Sequence, residues 1–158
     1  MLKEHDTPDI DDIDLQIIAE LQVDGRASYA DLAKRIDLGQ AAIRLRVNRL
    51  LESGVFEIVA VTDPLTIGFK VQAMLGLNVD GDIQLLSDKI CALDSVVYVL
   101  LTAGRFDMLV EVLCADNDDL LEMMSGLRAL DGVSSLEAFT YLRLSKQTYA
   151  FGIPPDRS

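Results

Sequence analysis

SYADLAKRIDLGQAAIRLRVNR, which spans Ser28 to Arg49, is the most informative part of this chain. Ser28 is a good helix cap, and Asp31 is placed to return the capping interaction. The residues at 37–39 predict a tight turn, and a further helix is expected from about Gln40 to Ser53. Two short helices joined by such a turn are typical of a helix-turn-helix unit that reads DNA.

Charge is distributed unevenly along the chain. The 158 residues carry a net charge of −12, yet residues 26–49 carry +4, which leaves −16 for the rest. An acidic body repels DNA everywhere except at this basic window. We therefore expect binding that is weak for each protomer and steeply salt-dependent, so that an oligomer would be useful.

The outward face of the helix expected from about Gln40 to Ser53 supplies the candidate DNA contacts. With Ile43 and Val47 buried, the opposite face points to solvent, and the first turn lies near the bases in this type of docking. The residues expected to contact DNA are Gln40, Ala41, Arg44, Leu45, Asn48 and Arg49. Arginine can pair with guanine or phosphate, and glutamine or asparagine with adenine. The alternative is an ordinary solvated helix face.

Outside this window, an initial helix is expected from Asp11 to about Asp24, and residues 54–69 are interpreted as a linking strand and hinge. Beyond it the pattern alternates strands and helices, with expected ranges of 71–79, 83–93, 96–102, 106–114, 117–130 and 136–144. This order predicts an α+β protein: an N-terminal winged helix-turn-helix plus a C-terminal ferredoxin-like βαββαβ sandwich. The expected domains are residues 1–53, the link at 54–69, residues 70–150 and a tail at 151–158.

Two helices cover only one face of a four-stranded sheet. Met74, Tyr98 and Tyr141 would be exposed on the other face of a monomer, and a second copy would cover them, so we expect a dimer. Core positions are also expected for several large side chains, namely Tyr98, Phe106, Met108, Met123 and Phe139.

Several classes of function are disfavoured by composition. The sequence contains no run of about 18 apolar residues, so no membrane span is expected. The polar N-terminus lacks a signal peptide pattern, so a cytoplasmic protein is expected. Cys91 and Cys114 are expected to be buried, reduced thiols, with a disulfide or metal site as the alternative. His5 is the single histidine, and it cannot build a histidine-based metal or catalytic centre. We expect no cofactor, no metal and no enzymatic activity.

Short motifs give the chain a family resemblance from about Ile10 to Tyr149. They are IDDIDLQII at 10–18, DGR at 24–26, DLA at 31–33, IRLRVNRL at 43–50, GV at 54–55 and GRFD at 104–107. In this order and spacing they resemble the Lrp/AsnC (feast/famine) family of bacterial and archaeal regulators. Two residues depart from the family pattern: Gly39 stands where serine is usual, and Leu45 where many relatives have arginine.

The resemblance implies a transcription regulator. Members dimerise through the C-terminal domain, assemble into tetramers, octamers or larger rings, and bind a small effector, commonly an amino acid, at contacts between dimers. The residues implied for effector binding are Gly104, Arg105, Asp107, Glu122, Leu136 and Ala138.

The expected chemistry of this effector site starts from the turn. Gly104 permits a positive φ and leaves amides free for a carboxylate, while Asp107 accepts an ammonium group or ties the turn together. A plain hairpin, with the aspartate bonded to its own backbone, is the alternative. Leu136 and Ala138 stand where relatives often carry hydroxyl groups, which favours an apolar ligand or no amino acid.

Two further functions compete with an effector-responsive regulator. One is an architectural, weakly specific DNA-binding protein with no effector. The other is an enzyme of similar fold, such as a sirohaem decarboxylase, which relies on histidines near its substrate. His5 alone does not meet that need.

Overall fold

The computed structural model describes residues 9–152. The chain divides into two compact units, of which the first runs to Ala60 and includes the segment from Lys146, and the second spans Val61–Ser145. The expected domain limits at residues 53, 69 and 150 stay predictions. His5 and most of the expected tail at 151–158 lie outside the described residues.

The described part of the first unit contains three helices: α1 (Asp12–Val23), α2 (Tyr29–Ile36) and α3 (Gln40–Glu52). α1 begins with a capping box, in which the Asp11 carboxylate accepts from the Asp14 N–H at 2.9 Å and the Asp14 carboxylate accepts from the Asp11 N–H at 3.2 Å. Ser28 caps α2 by accepting from the Asp31 N–H at 3.1 Å. Both expected helix starts are confirmed, because each depends on a short polar side chain that satisfies a free helical N–H.

The three helices share one small core. Ile17 of α1, Leu32 of α2, and Ile43 and Val47 of α3 are all essentially inaccessible to water. The turn between α2 and α3 passes through Asp37 in the left-handed region, at φ 56°. The predicted helix-turn-helix is therefore confirmed.

The predicted wing and linking strand are not found. Within residues 9–70 the structure has no strand, although the residues at 55–61 favour one by composition. Ile58, Val59 and Val61 are each more than half exposed. A strand needs a hydrogen-bonded neighbour, and this described segment has none. High β-propensity alone did not produce a sheet.

The second unit has the predicted βαββαβ order. Its elements are β1 (Val71–Val79), α4 (Ile83–Cys91), β2 (Val96–Leu101), β3 (Met108–Cys114), α5 (Asn117–Arg128) and β4 (Val133–Thr140). The strands form an antiparallel sheet in the order β2-β3-β1-β4. The predicted ferredoxin-like architecture is confirmed.

Alternation along the strands separates two sheet faces. Leu75, Leu77, Met108 and Val110 point toward the helices and are fully buried. Met74, Leu109 and other intervening residues lie on the opposite face, which no element of the second unit covers. The following aromatic positions are found on or beside that open face: Tyr98, Phe106, Phe139 and Tyr141.

The expected core residues divide accordingly. Met108 is buried and Met123 packs against the core, as predicted. Tyr98 and Phe139 are 52% and 43% exposed, so their assignment to the core is wrong for the single chain. Cys114 is buried, which raises the pKa of its thiol, and nearby Asp119 and Asp116 add to that rise. Cys91 ends α4 and is exposed, contrary to expectation.

The last strand is shifted from its predicted range of 136–144. β4 starts at Val133 and ends at Thr140, which pairs with Ala73 near the start of β1. Tyr141 donates one more backbone bond to Gln72, at 2.9 Å. The pairing with β1 ends here, and Leu142 is 97% exposed.

Candidate nucleic-acid interface and effector turn

α3 presents one continuous solvent-facing surface. Ile43, Val47 and Leu50 are buried at helical spacing and fix which face points inward. Five of the six residues expected to contact DNA are exposed and form no ion pair: Gln40, Ala41, Arg44, Leu45 and Asn48. Leu45 is 73% exposed. We refer to these five residues as the α3 face.

The cations of the basic window fall into two groups. Arg35 pairs with Glu20 at 2.6 Å, and Arg46 pairs with Asp11 at 2.7 Å and Asp14 at 2.8 Å. Among the described residues, the other cations of the basic window that form no ion pair are Arg26, Lys34 and Arg44. Arg44 is the only member of this second group on α3, so it is the helix's uncompensated positive charge.

Arg49 belongs to the paired group, although it was expected to face DNA. Its Nη2 donates to the Asp14 carboxylate, and its Nη1 donates to the Asp9 carbonyl at 3.3 Å. Asp14 is fully buried. The sequence reasoning missed this partner, although a signal was present: Asp14 lies three residues before buried Ile17 and therefore on the inward face of α1.

The same contacts shift the ionisation of their members. The Asp14 backbone N–H, and then the Arg46 guanidinium, hold the pKa of Asp11 below its usual 3.8. Hydrogen bonds to Asp14 and Asp11 raise the pKa of Arg46 above its already high value. Both groups are therefore charged at neutral pH.

Asn48 is linked to α2. The Tyr29 hydroxyl donates to the Asn48 side-chain oxygen across 3.5 Å, a long and weak contact. It ties the amide of a proposed base-reading residue to the helix that precedes the turn.

The β2–β3 turn contains the second candidate site. The Asp107 carboxylate accepts from the Val79 N–H at 2.8 Å, and the Asp107 N–H donates to the Leu77 carbonyl at 3.0 Å. The Thr102 hydroxyl donates to the Phe106 carbonyl inside the turn. Asp107 thus ties the turn to the end of β1. In a plain hairpin, the aspartate would instead bond to the backbone of its own turn.

Gly104 does not have the expected conformation. Its φ is not positive, in contrast to Gly81 and Gly132, and a Cβ added to it would meet nothing within 4 Å. The expectation of a left-handed backbone at this turn is wrong. The turn is instead closed by the Thr102 and Asp107 hydrogen bonds, which leave Gly104 in ordinary backbone geometry.

Arg105 connects the turn to β4. Its Nη2 donates to Glu137 at 2.8 Å, and its guanidinium lies 5.2 Å from the centre of the Phe106 ring. Glu137 was not among the expected site residues. The Arg105 side chain is 77% exposed, so this ion pair is open to solvent.

The six residues expected to bind an effector are only partly brought together. The turn contains Gly104, Arg105 and Asp107. Leu136 and Ala138 flank Glu137 on β4 but point to the opposite sheet face, where they pack against the core. Glu122 is exposed on α5. Hydrogen bonds and ion pairs of the described residues join none of these last three to the turn.

Two further observations concern residues 9–152. No group of three or more histidine, cysteine, aspartate or glutamate side chains in this part of the chain is arranged to hold a metal ion. None of its helices is both long and apolar enough to cross a membrane.

Family models match both units. A model of the AsnC-type helix-turn-helix domain matches residues 10–51, and a model of the Lrp/AsnC ligand binding domain matches residues 72–151. The first match contains the α3 face, and the second contains the turn with Arg105 and Asp107.

Curated relatives and solved structures agree with these models. The HTH-type transcriptional regulator FL11 of Pyrococcus furiosus is 29% identical over 141 residues, 88% of this chain and 93% of that protein. E. coli AsnC has the same fold, with a TM-score of 0.77 at 24% identity over 87% of this chain and 95% of that one. A transcriptional regulator of Neisseria meningitidis, solved as a complex with L-Met, has a TM-score of 0.79 at 19% identity. The match covers 92% of this chain and 97% of that one.

Proposed function

Since this chain belongs to the Lrp/AsnC family of transcriptional regulators, we propose that it reads double-stranded DNA through the α3 face and that a small effector, bound between dimers, changes its assembly and DNA affinity. The observation that carries the DNA part is the exposure of α3 with an unpaired Arg44 in a chain of net charge −12. The acidic remainder disfavours approach of DNA in other orientations.

The α3 face has the chemistry needed to read a major groove. Arg44 can pair with guanine or with phosphate, and Gln40 and Asn48 can each pair with adenine. Exposed Leu45 can contact a thymine methyl group. Ala41 adds no bulk, which lets the helix approach the base edges.

A binding series tests this proposal. Duplexes would first be selected by the protein from a random-sequence pool. Affinities for the selected sequence would then be measured by fluorescence anisotropy. Arg44→Ala should weaken binding by about tenfold or more, since one good bidentate contact between a side chain and a base is worth roughly 1–3 kcal/mol. Lys89→Ala, which removes the same charge from an exposed position on α4, should leave affinity unchanged. Equal effects of the two variants would contradict a role for α3.

The β2–β3 turn supports an amino-acid effector. Arg105 offers an exposed guanidinium for a carboxylate, and Asp107 lies two residues away as an acceptor for an ammonium group. A structural relative binds L-Met. Leu136 and Ala138 face the core in the single chain and Glu122 lies on α5, so these three residues enter the proposal only through the family resemblance. The lack of a hydroxyl group at the first two favours an effector with an apolar side chain.

Calorimetric titration with each of the twenty amino acids tests the effector. We expect heat from one or a few apolar amino acids, a change in assembly size in the same samples, and loss of both in Arg105→Ala. Arg143→Ala, an exposed arginine outside the turn, is the matched control. No heat and no change in assembly size with any amino acid would support the architectural alternative with no effector.

Assembly is proposed to begin with a homodimer and to continue to a tetramer, octamer or larger ring in the cytoplasm. The open sheet face supports the dimer, because Tyr98, Leu100 and Phe139 are each more than 40% exposed on it. Glu111 lies among them and accepts from Gln72 at 2.7 Å. Burial, and then the Glu111 charge, raise the pKa of nearby Tyr141 to about 12, so its hydroxyl stays a donor.

A further inference from the structure

A fully buried carboxylate joins α1 to the recognition helix, and we propose that Asp14 is a positioning residue for DNA reading, with Arg46 and Arg49 as its structural partners and not as phosphate-binding cations. This inference rests on the proposed function of α3. It divides the basic window into charges that hold the helix and charges that attract DNA.

The contacts are all within the first unit. Asp14 Oδ1 accepts from Arg46 at 2.8 Å, and Oδ2 accepts from Arg49 and, at 3.2 Å, from the Asp11 N–H. Arg46 also reaches both oxygens of Asp11, at 2.9 and 2.7 Å. One buried acid and one exposed acid thus bind two arginines that are three residues apart on α3.

Burial explains why these arginines stay in place. Removing a partner from a buried carboxylate leaves an uncompensated charge, which is strongly destabilising. Asp14 is completely inaccessible, whereas the side chains of Arg46 and Arg49 are 27% and 46% exposed. Planar guanidinium groups bind carboxylate oxygens with fixed geometry, so two of them on one acid restrict both rotation and sliding of α3 against α1.

The charge balance leads to a measurable consequence. Asp11, Asp14, Arg46 and Arg49 together carry no net charge, and cations already neutralised by acids release few counterions from DNA. Arg44, with Arg26 and Lys34, then carries the electrostatic attraction. Arg44 and Arg49, five residues apart on one helix, should differ in their contribution to the salt dependence of binding.

The first experiment compares Arg44→Met with Arg49→Met, which both remove one charge and keep an apolar stem. Affinity for a selected duplex is measured from low to moderate salt. Arg44→Met should reduce the slope of log K against log salt by about 0.9 for each protomer bound, and Arg49→Met should leave the slope unchanged. A reduced slope in Arg49→Met would overturn the proposal. An unchanged slope in Arg44→Met would instead contradict the proposed function.

The second experiment uses Asp14→Asn, which removes the only carboxylate partner of Arg49 and one of the two that hold Arg46, and makes the unit less negative. We expect affinity for unselected duplex to stay equal or increase, while the ratio of selected to unselected affinity falls by about tenfold. An unchanged ratio in a folded variant would overturn the positioning role. Circular dichroism establishes folding, and if Asp14→Asn is unfolded, the Arg49→Met slope decides.

Discussion

At Gly76 an aromatic ring occupies the space that a side chain would need. A Cβ at this position would lie 2.7 Å from the Phe106 ring, and Phe106 in turn contacts Phe139 edge-to-face at 5.9 Å between ring centres. The alternation of β1 predicted which face Gly76 is on, but not this contact, because its partner comes from a turn 30 residues away in sequence. Residue-scale contacts of this kind depend on tertiary packing and are not encoded in local spacing.

Gly76→Ala should therefore destabilise the second unit. We expect a loss of about 1–3 kcal/mol, typical of overpacking, measured as a lower urea midpoint. Gly104→Ala is the matched control, because its added methyl group meets nothing within 4 Å and its φ is ordinary. The control should be neutral or slightly stabilising. Similar midpoints for the two variants would show that the Phe106 ring moves aside without cost.

Asp11 gives the first unit a pH dependence with a defined sign. Its pKa is lower in the folded protein than the usual 3.8, so its contribution to stability is present above that value and is lost as pH falls through the folded pKa. Asp11→Asn keeps a good helix cap but cannot ionise. We expect the variant to lose less stability than the wild type between pH 5 and 3 on urea titration, and parallel losses would contradict this reading.

Among the elements, starts were more predictable than ends or pairings. Asp11 and Ser28 mark the starts of α1 and α2 because capping is local chemistry. The segment at 55–61 and the end of β4 were wrongly assigned, since a strand exists only where a partner strand does. The α3 face was predictable from helical spacing, whereas the Asp14 network and Glu137 were not, because they join residues more than 30 positions apart.

α3 also begins without a side-chain cap, since Gly39 cannot supply one. Gly39 has extended backbone angles of φ −66° and ψ 139°, and a Cβ there meets nothing within 4 Å. Gly39→Ser should stabilise the first unit by a few tenths of a kcal/mol, roughly the difference between these caps. Ser28→Ala, which removes an existing cap, should cost about 1 kcal/mol. Thermal unfolding measures both, and destabilisation by serine would contradict the capping argument.

The whole molecule combines a helical unit that contains the basic window at 26–49 with a sheet that is open on one face. Composition and spacing predicted both units, and the sheet topology predicted that one face would lack a cover. The dimer remains a proposal with its own test.

Tyr98→Glu should disrupt that dimer. Tyr98 is 52% exposed and pairs in register with Glu111, so the variant would place two carboxylates side by side on the face to be buried. Leu121→Glu, at a leucine of α5 that is 59% exposed, is the matched control. Sedimentation velocity should show a smaller species for Tyr98→Glu alone. Unchanged assembly in Tyr98→Glu would indicate that another surface joins the copies.

The central claim is that the α3 face enters DNA, and site-specific photo-crosslinking tests it most directly. A benzophenone amino acid would replace Leu45 on α3 or, in a separate protein, Leu85 on α4; the two leucines are 73% and 55% exposed. Irradiation with a selected duplex at moderate salt should give a protein–DNA crosslink from position 45 and none from position 85. A crosslink from position 85 and none from position 45 would contradict the account.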